Sequence, residues 1–515
     1  MRNRGKQSDI AGTVLMTLVM AAGAAAATDD FRLVEAARNQ DFSAVRSLLS
    51  QHTDVNGKAD DGSTALLWAA HWDDVETAQA LLRAGADANV ANEFRMTPLS
   101  QACTNGNAAF VELLLKAGAN PNTPIGTGET PLMTCARSGS VDAVRILIAR
   151  DAAVNAKEPD ANQTALMWAA AEHHPDVVKT LIEAHAELQA HTRQGFTALH
   201  FAAREADLES ARLLLAAGTN VDIRTQSEAA KGSRDIDVTA VNRGAGLRSV
   251  STNGYTPLLV ATVRGQVALA LFLLDQGADP NVGDAGFTPL HWASAEWENG
   301  TANPVYGIED VMAGIPNRQA KLKLVNALLA HGADPNAHMT KVQPAFAGGY
   351  ADAVGATPFL LASAADDVEM MRMLLAAGAD PSLPTATNAT AIMAATGLNH
   401  LVGDSPVTEA QATAAVKFLL DAGVDPKGAT TFGENALFGP AYRGWNTLLA
   451  QLIDRGVDVN AVSKAGVTPW LAASGQGDRL GGVLYNKEGA DLLLRHGADP
   501  RLGHPCQAQN KCRAE

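Results

Sequence analysis

The sequence predicts an all-α solenoid of about twelve helix-turn-helix units, and two markers held in register predict it. A Thr-Pro/Ala-Leu triplet recurs at Thr64, Thr97, Thr130, Thr164, Thr197, Thr256, Thr288, Thr357, Thr390 and Thr468, with Asn435 heading a degenerate copy. Seven of the ten successive intervals lie within one residue of 33. A fixed period of that length marks units that stack on one another. The second marker is a glycine opening Gly-Ala-Asp or a close variant, at Gly85, Gly118, Gly218, Gly277, Gly332, Gly378, Gly423, Gly456 and Gly497. In eight of the eleven units the marker position lies 21 residues after the triplet's first residue, counting Asp151 and His185 where glycine is replaced.

The chemistry of one unit is legible in residues 253–284. Asn253-Gly254 offers a tight turn in which positive φ is easily adopted. Thr256 can cap a first helix, and Pro257 suits its first turn, where no backbone donor is needed. Leu258, Leu259 and Ala261 begin a short apolar helix, and Leu269, Leu271, Phe272 and Leu273 give a second helix its buried face. Gly277 then ends it in a left-handed cap. Residues 30–56 carry both helices without the triplet. Arg32, Glu35, Arg38 and Gln40 are interspersed there, as a terminal unit with one solvated face requires.

The same units place the breaks in regularity. Insertions fall at about 226–251, 298–320, 339–352, 398–411 and 475–482. The array as a whole runs over 28–503, and a Cys-containing tail follows at 504–515. Hydrophobic residues make up 47% of the chain but aromatics only 5%. That balance suits Ala- and Leu-packed helices better than a large sheet core.

The triplet context, above all TALHFAA from Thr197 and TPLHWAS from Thr288, resembles the ankyrin repeat. Only His200 and His291 keep that family's helix-start histidine; other units carry Leu67, Ser100, Met133, Met167, Leu259, Leu360, Met393 or Leu471. The departures resemble exported bacterial members. The resemblance implies a stacked solenoid with β-turn fingers along one edge and a concave face for partners. The insertions at 226–251 and 339–352 then belong to the finger edge and the other three to the opposite, helix-helix edge.

The first 27 residues read as a signal peptide. Arg2, Arg4 and Lys6 precede an uncharged stretch from Ile10 to Ala26, and the small residues Ala24–Ala27 offer a cleavage site. An uncleaved anchor is the competing reading of the same stretch. The whole chain has 40 Lys+Arg and 55 Asp+Glu; removing residues 1–27 takes three basic and one acidic, leaving 37 against 54, a net charge of −17. Such a surface repels phosphate backbones, which argues against DNA, RNA and anionic lipid. Cys506 and Cys512, five residues apart in a polar tail, are expected to pair in an oxidising compartment. Cys103 and Cys135 are expected to stay buried thiols.

No Gly-x-Ser-x-Gly elbow, phosphate loop or His-Glu-x-x-His occurs. We therefore expect no enzyme, no catalytic residue and no cofactor. His173, His174, His185 and His191 lie in one unit, but their spacing matches no ligand motif, and no metal is expected. Trp68, Trp168 and Trp292 share one register, with Phe201 as an aromatic fourth, and Trp72 and Trp297 lie four or five residues on. These tryptophans could form a partner-binding strip or simply pack between helices. With His71 and the insertion residues Arg243, Arg248 and Tyr350 they are the candidate contacts.

The leading reading is a monomeric, periplasmic or secreted scaffold whose concave face and finger loops hold another exported protein. The alternative is a carbohydrate- or small-molecule-binding protein using the aromatic strip. N-terminal sequencing of the exported protein should find Thr28 as the first residue; recovery of intact residues 1–27 in the membrane fraction would overturn the cleavage.

Overall fold

The computed structural model describes residues 31–226, 253–295, 315, 317–341, 354–398, 407–475 and 485–503. The signal segment, the interior of each insertion and the Cys506/Cys512 tail lie outside the described residues. Among those described, twelve first helices alternate with twelve second helices. The first are Arg32–Arg38, Ala65–His71, Pro98–Asn105, Pro131–Ser138, Ala165–Ala171, Ala198–Glu205, Pro257–Val263, Pro289–Ser294, Pro358–Ala364, Ala391–Ala395, Phe438–Arg443 and Pro469–Ala473. Their partners are Phe42–Ser50, Val75–Arg83, Ala108–Lys116, Val141–Ile148, Pro175–Glu183, Leu208–Ala216, Val267–Asp275, Arg318–Ala330, Val368–Ala376, Glu409–Asp421, Asn446–Asp454 and Lys487–Arg495.

Each predicted punctuation mark acts as its chemistry requires. The threonine side chain accepts the N–H three residues on at Thr64, Thr97, Thr256, Thr357 and Thr468, for example, satisfying one of the donors a helix start leaves open. Gly277, just past the second helix, has φ +85°. A Cβ at Gly85 or Gly277 would meet nothing within 4 Å, so the backbone angle and not space selects glycine there. Asp151 and His185 hold that position at φ +63° and +61° without it. His185 is thus a cap substitute. The helix-helix turns use the same region at Asp73 and Asp366.

First helices pack on first helices and second on second between most successive units. One continuous core results, from Leu33 through Leu81, Leu114, Leu147, Leu181 and Leu214 to Leu493. A run of asparagines ties successive units at the opposite edge. Asn89 Nδ2 donates to the Gly118 carbonyl (3.0 Å), while its Oδ1 accepts from the Asn120 N–H (2.8 Å). Asn122 spans to Asp151 and Ala153 in the same way, Asn281 to Gly332 and Asp334, Asn336 to Gly378 and Asp380, and Asn460 to Gly497 and Asp499. One side chain satisfies the carbonyl of the left-handed residue that follows the next unit's second helix and the N–H two residues beyond it.

Two expectations are corrected. The β-turn fingers are not formed: the described residues contain no β-strand, only the isolated bridges Lys58–Thr64 and Ala429–Asn435. The reason is local bookkeeping of backbone groups. Successive loop tips share single bonds, such as Gly126 N–H to Phe94 O (3.0 Å) and Arg193 N–H to Ala161 O (2.9 Å). The rest close within their own turn, such as Asn92 N–H to Met96 O, leaving no ladder to extend. The second correction is that Cys103 and Cys135 are joined as a disulfide, with Cα atoms 4.5 Å apart. Cys103 lies six residues past Thr97 and Cys135 five past Thr130. Stacking brings these neighbouring first-helix positions together, and both are fully buried.

A cross-link closing a loop of this size stabilises by about 2–4 kcal/mol. Replacing both cysteines by alanine (Cys103→Ala, Cys135→Ala) should lower the opening free energy of the Thr97 and Thr130 units by that order. Native-state hydrogen exchange would measure it. Alkylation of unfolded, unreduced protein should leave both positions unlabelled.

Candidate partner-binding face

Stacking leaves the first helices of the N-terminal units little accessible surface, and Pro257–Val263, Pro289–Ser294, Pro358–Ala364 and Ala391–Ala395 are buried throughout. In Ala65–His71 every residue is buried except Trp68, which is half-buried, and His71, which is exposed. These positions are four and seven residues past Thr64, and so share one helix face. The equivalent positions are Glu35 and Arg38 in the terminal unit, Gln101 and Thr104, Thr134 and Arg137, Trp168 and Ala171, and Phe201 and Arg204, of which Thr134 and Phe201 are buried.

At the N-terminal end the stripe carries a fixed aromatic group. The Trp68 and Trp72 rings stack with centroids 6.4 Å apart, and His71 meets Trp72 edge-on at 4.7 Å and Trp68 at 5.4 Å. Trp72 is 43% exposed, yet its Nε1–H donates to the Arg38 carbonyl (3.0 Å), which pins the indole to the preceding unit. The Arg38 guanidinium lies 5.3 Å from the Trp68 ring centroid. The motif repeats three units on: Arg137 stands 5.1 Å over Trp168 and is paired with Glu129. Arg204 stands 4.8 Å over Phe201. Arginine on an aromatic face is a favourable, partly desolvated contact.

The remaining candidates separate. Trp292, in the same register as Trp68 and Trp168, is completely buried and packs near Phe287. Trp297, Arg243, Arg248 and Tyr350 lie outside the described residues. The histidines of the Thr164 unit do not converge: His174 Nε2 bonds the Arg137 carbonyl (2.9 Å), and no metal-holding group of His, Cys, Asp and Glu occurs among the described residues. Arg38 and Arg137 were not singled out by sequence reasoning. Their signal was present, an arginine seven residues into one first helix with a tryptophan four residues into the next.

His200 and His291 are cappers. Each Nδ1 stands within hydrogen-bond reach of its own triplet threonine, and each Nε2 reaches the following loop, at Tyr255 O (3.0 Å) and Ala337 O (2.9 Å). Burial pushes both down to about 4, outweighing the carbonyl hydrogen bonds that raise them.

Ankyrin repeats in sets of three match over residues 33–125, 73–158, 119–192 and 156–225, and single ankyrin repeats over 253–285, 285–339 and 354–386. The chain belongs to the ankyrin-repeat family. Its fold is that of a general scaffold for protein–protein interaction. Among curated proteins, PhlB of Serratia liquefaciens is 32% identical over 136 residues, 26% of this chain and 49% of its own. Neurogenic locus notch homolog protein 1 of Danio rerio is 36% identical over 137 residues, 24% of this chain and 6% of its own. This chain thus spans about half, or far less, of these relatives. In the crystal structure of the ankyrin repeat protein EF0377, the match covers 36% of this chain and 96% of that one, at 29% identity and a TM-score of 0.34. Among the described residues no helix of this ankyrin chain is long and apolar enough to cross a membrane.

The histidine cappers give the array a pH dependence of known sign. In the unfolded chain a histidine gains its proton near 6.5, whereas His200 and His291 in the fold resist it until about 4. Their contribution is complete above about 6.5 and is lost as pH falls from there towards 4. Between pH 7 and 5 each should cost the fold about 2 kcal/mol. Urea midpoints at the two pH values should differ accordingly, and the His200→Leu, His291→Leu variant should show a smaller difference.

Proposed function

We propose that this chain is an exported scaffold of the bacterial envelope that holds a protein partner on its first-helix face. The observation that carries this reading is the cluster of Arg38, Trp68, His71 and Trp72, an accessible group held in place by its own contacts. Aromatic residues and arginine are the types that dominate interface energetics, and a pre-fixed side chain loses little entropy on binding. Trp72 has no packing task that requires nearly half its surface to face solvent.

Export is supported by two independent features of the chain. The basic, apolar and small-residue pattern of residues 1–27 is that of a secretion signal. The buried Cys103–Cys135 disulfide suits an oxidising compartment. The partner is then a protein of the same compartment. The net charge of −15 disfavours nucleic acid.

Site-specific photocross-linking in the producing cell tests the face. A photoreactive residue at position 72 should capture a discrete protein adduct in the envelope fraction, whereas one at Lys116, on a second helix, should not. Equal capture from both positions, or capture only from the second-helix face, would falsify the assignment.

A further inference from the structure

Charge on the described helices is divided unevenly. First helices with their capping residues carry Arg32, Arg38, Arg137, Arg204, Arg264 and Arg443 against Glu35, Glu172 and Glu205. They contain no lysine and no aspartate. This excess of arginine belongs to a chain with 55 Asp+Glu against 40 Lys+Arg, so the acidity resides elsewhere. Second helices carry both signs, in pairs such as Lys116–Glu112, Arg145–Asp142 and Lys417–Asp421.

The arginines are also presented in one manner. Arg38, Arg137 and Arg204 lie over Trp68, Trp168 and Phe201, and Arg443 lies 5.1 Å over Trp445. Each guanidinium carbon stands 4.8 to 5.3 Å from its ring centroid, a contact that leaves N–H donors of the arginine available to a further partner. Those donors form the fork that a carboxylate accepts bidentately. Two of these arginines already pair with a carboxylate within the chain, each through one nitrogen: Arg137 with Glu129 and Arg204 with Glu205. Arg38 is exposed and makes no ion pair among the described residues, although Glu35 lies one turn before it on the same helix. It adjoins the Trp68–Trp72 stack, whose indoles and the edge-on His71 form an apolar floor.

We infer that the partner's contact with this face is an acidic protein segment, with an Asp or Glu carboxylate seated on Arg38 and apolar parts of the segment laid on Trp68 and Trp72. The inference deepens the scaffold reading and rests on it. It follows from charge complementarity: an arginine-bearing strip on an acidic protein excludes most other acidic surfaces by long-range repulsion and rewards only a segment that reaches the strip. Screening by salt should therefore affect rejection and local binding in opposite senses. A second copy of this chain, itself strongly acidic, is disfavoured as the occupant.

The probe is a fluorophore-labelled Glu-rich peptide, titrated with the full oxidised chain at physiological salt, beside a Gln-rich peptide of equal length and inorganic phosphate as competitor. The Glu-rich peptide should bind at least tenfold more tightly than the Gln-rich one, and millimolar phosphate should not displace it. Arg38→Gln should weaken binding about tenfold, and Arg38→Lys should restore only part of it, because an ammonium has no planar fork. Far-UV circular dichroism and the urea midpoint serve to show that both variants remain folded. Equal binding of the two peptides, displacement by phosphate, full rescue by lysine, or peptide-induced dimerisation each overturns the inference. These outcomes are distinct from failure of the scaffold reading, which would appear as loss of the position-72 cross-link whatever the peptides do.

Discussion

A helix of seven residues such as Ala65–His71 cannot bury its apolar side against the nine-residue helix that follows it. Each unit has an apolar surface on two sides, and only a neighbour of the same kind covers it. Leu81, Leu114 and Leu147 are fully buried at successive second-helix positions because the array continues past each of them. Everything else is subordinate to that stacking. The threonine caps and left-handed glycines fix where each helix starts and stops, so that one unit's ridges meet the next at a constant offset. The asparagine bridges hold the same offset at the loop edge, where no apolar contact could.

Stacking also decides what is left for a partner. Because first helices press on first helices, little of them reaches solvent, and in the N-terminal units accessible chemistry on that face is confined to a few positions such as Arg38, Trp68, His71, Arg137 and Trp168. In the N-terminal half the strip is dominated by arginine and aromatic rings, and each arginine is set by the adjacent ring. The arrangement is rigid for a surface feature: Trp72 is tied by its indole nitrogen to the backbone of the preceding unit. A binding face built this way transmits the solenoid's stiffness to the contact and limits the entropy lost on association.

The disulfide adds a constraint of a different kind. Most of the array is held by many small contacts that act between nearest neighbours, so local opening of one unit is tolerated by the rest. Cys103–Cys135 joins the two units that lie between the Trp68–Trp72 unit and the Trp168 unit. It resists separation of those units without contributing to the exposed strip. A covalent link at this point keeps the two aromatic groups at a fixed separation, which matters if one extended segment touches both.

The sequence by itself determined the period, the identity of each helix pair, the capping residues and the places where the array is interrupted, because these depend on interactions within one unit or between residues a few positions apart. Thr256, Pro257, Gly277 and the cap substitute His185 are legible from local backbone chemistry alone. What only the tertiary structure decided involves distances between units. Trp68, Trp168 and Trp292 occupy one register, yet Trp292 is enclosed while Trp68 remains half-exposed, since burial depends on what the neighbouring units place around each ring. Cys103 and Cys135 differ by one position in register, an offset that reads as unremarkable along the chain and becomes a bond once helices stack. The loops that the repeat resemblance implied as β-turn fingers became single-bonded turns, because their backbone groups found nearer partners. Arg38 acquired its meaning from Trp68 thirty residues on, a relation set by the stacking repeat and invisible to any local window.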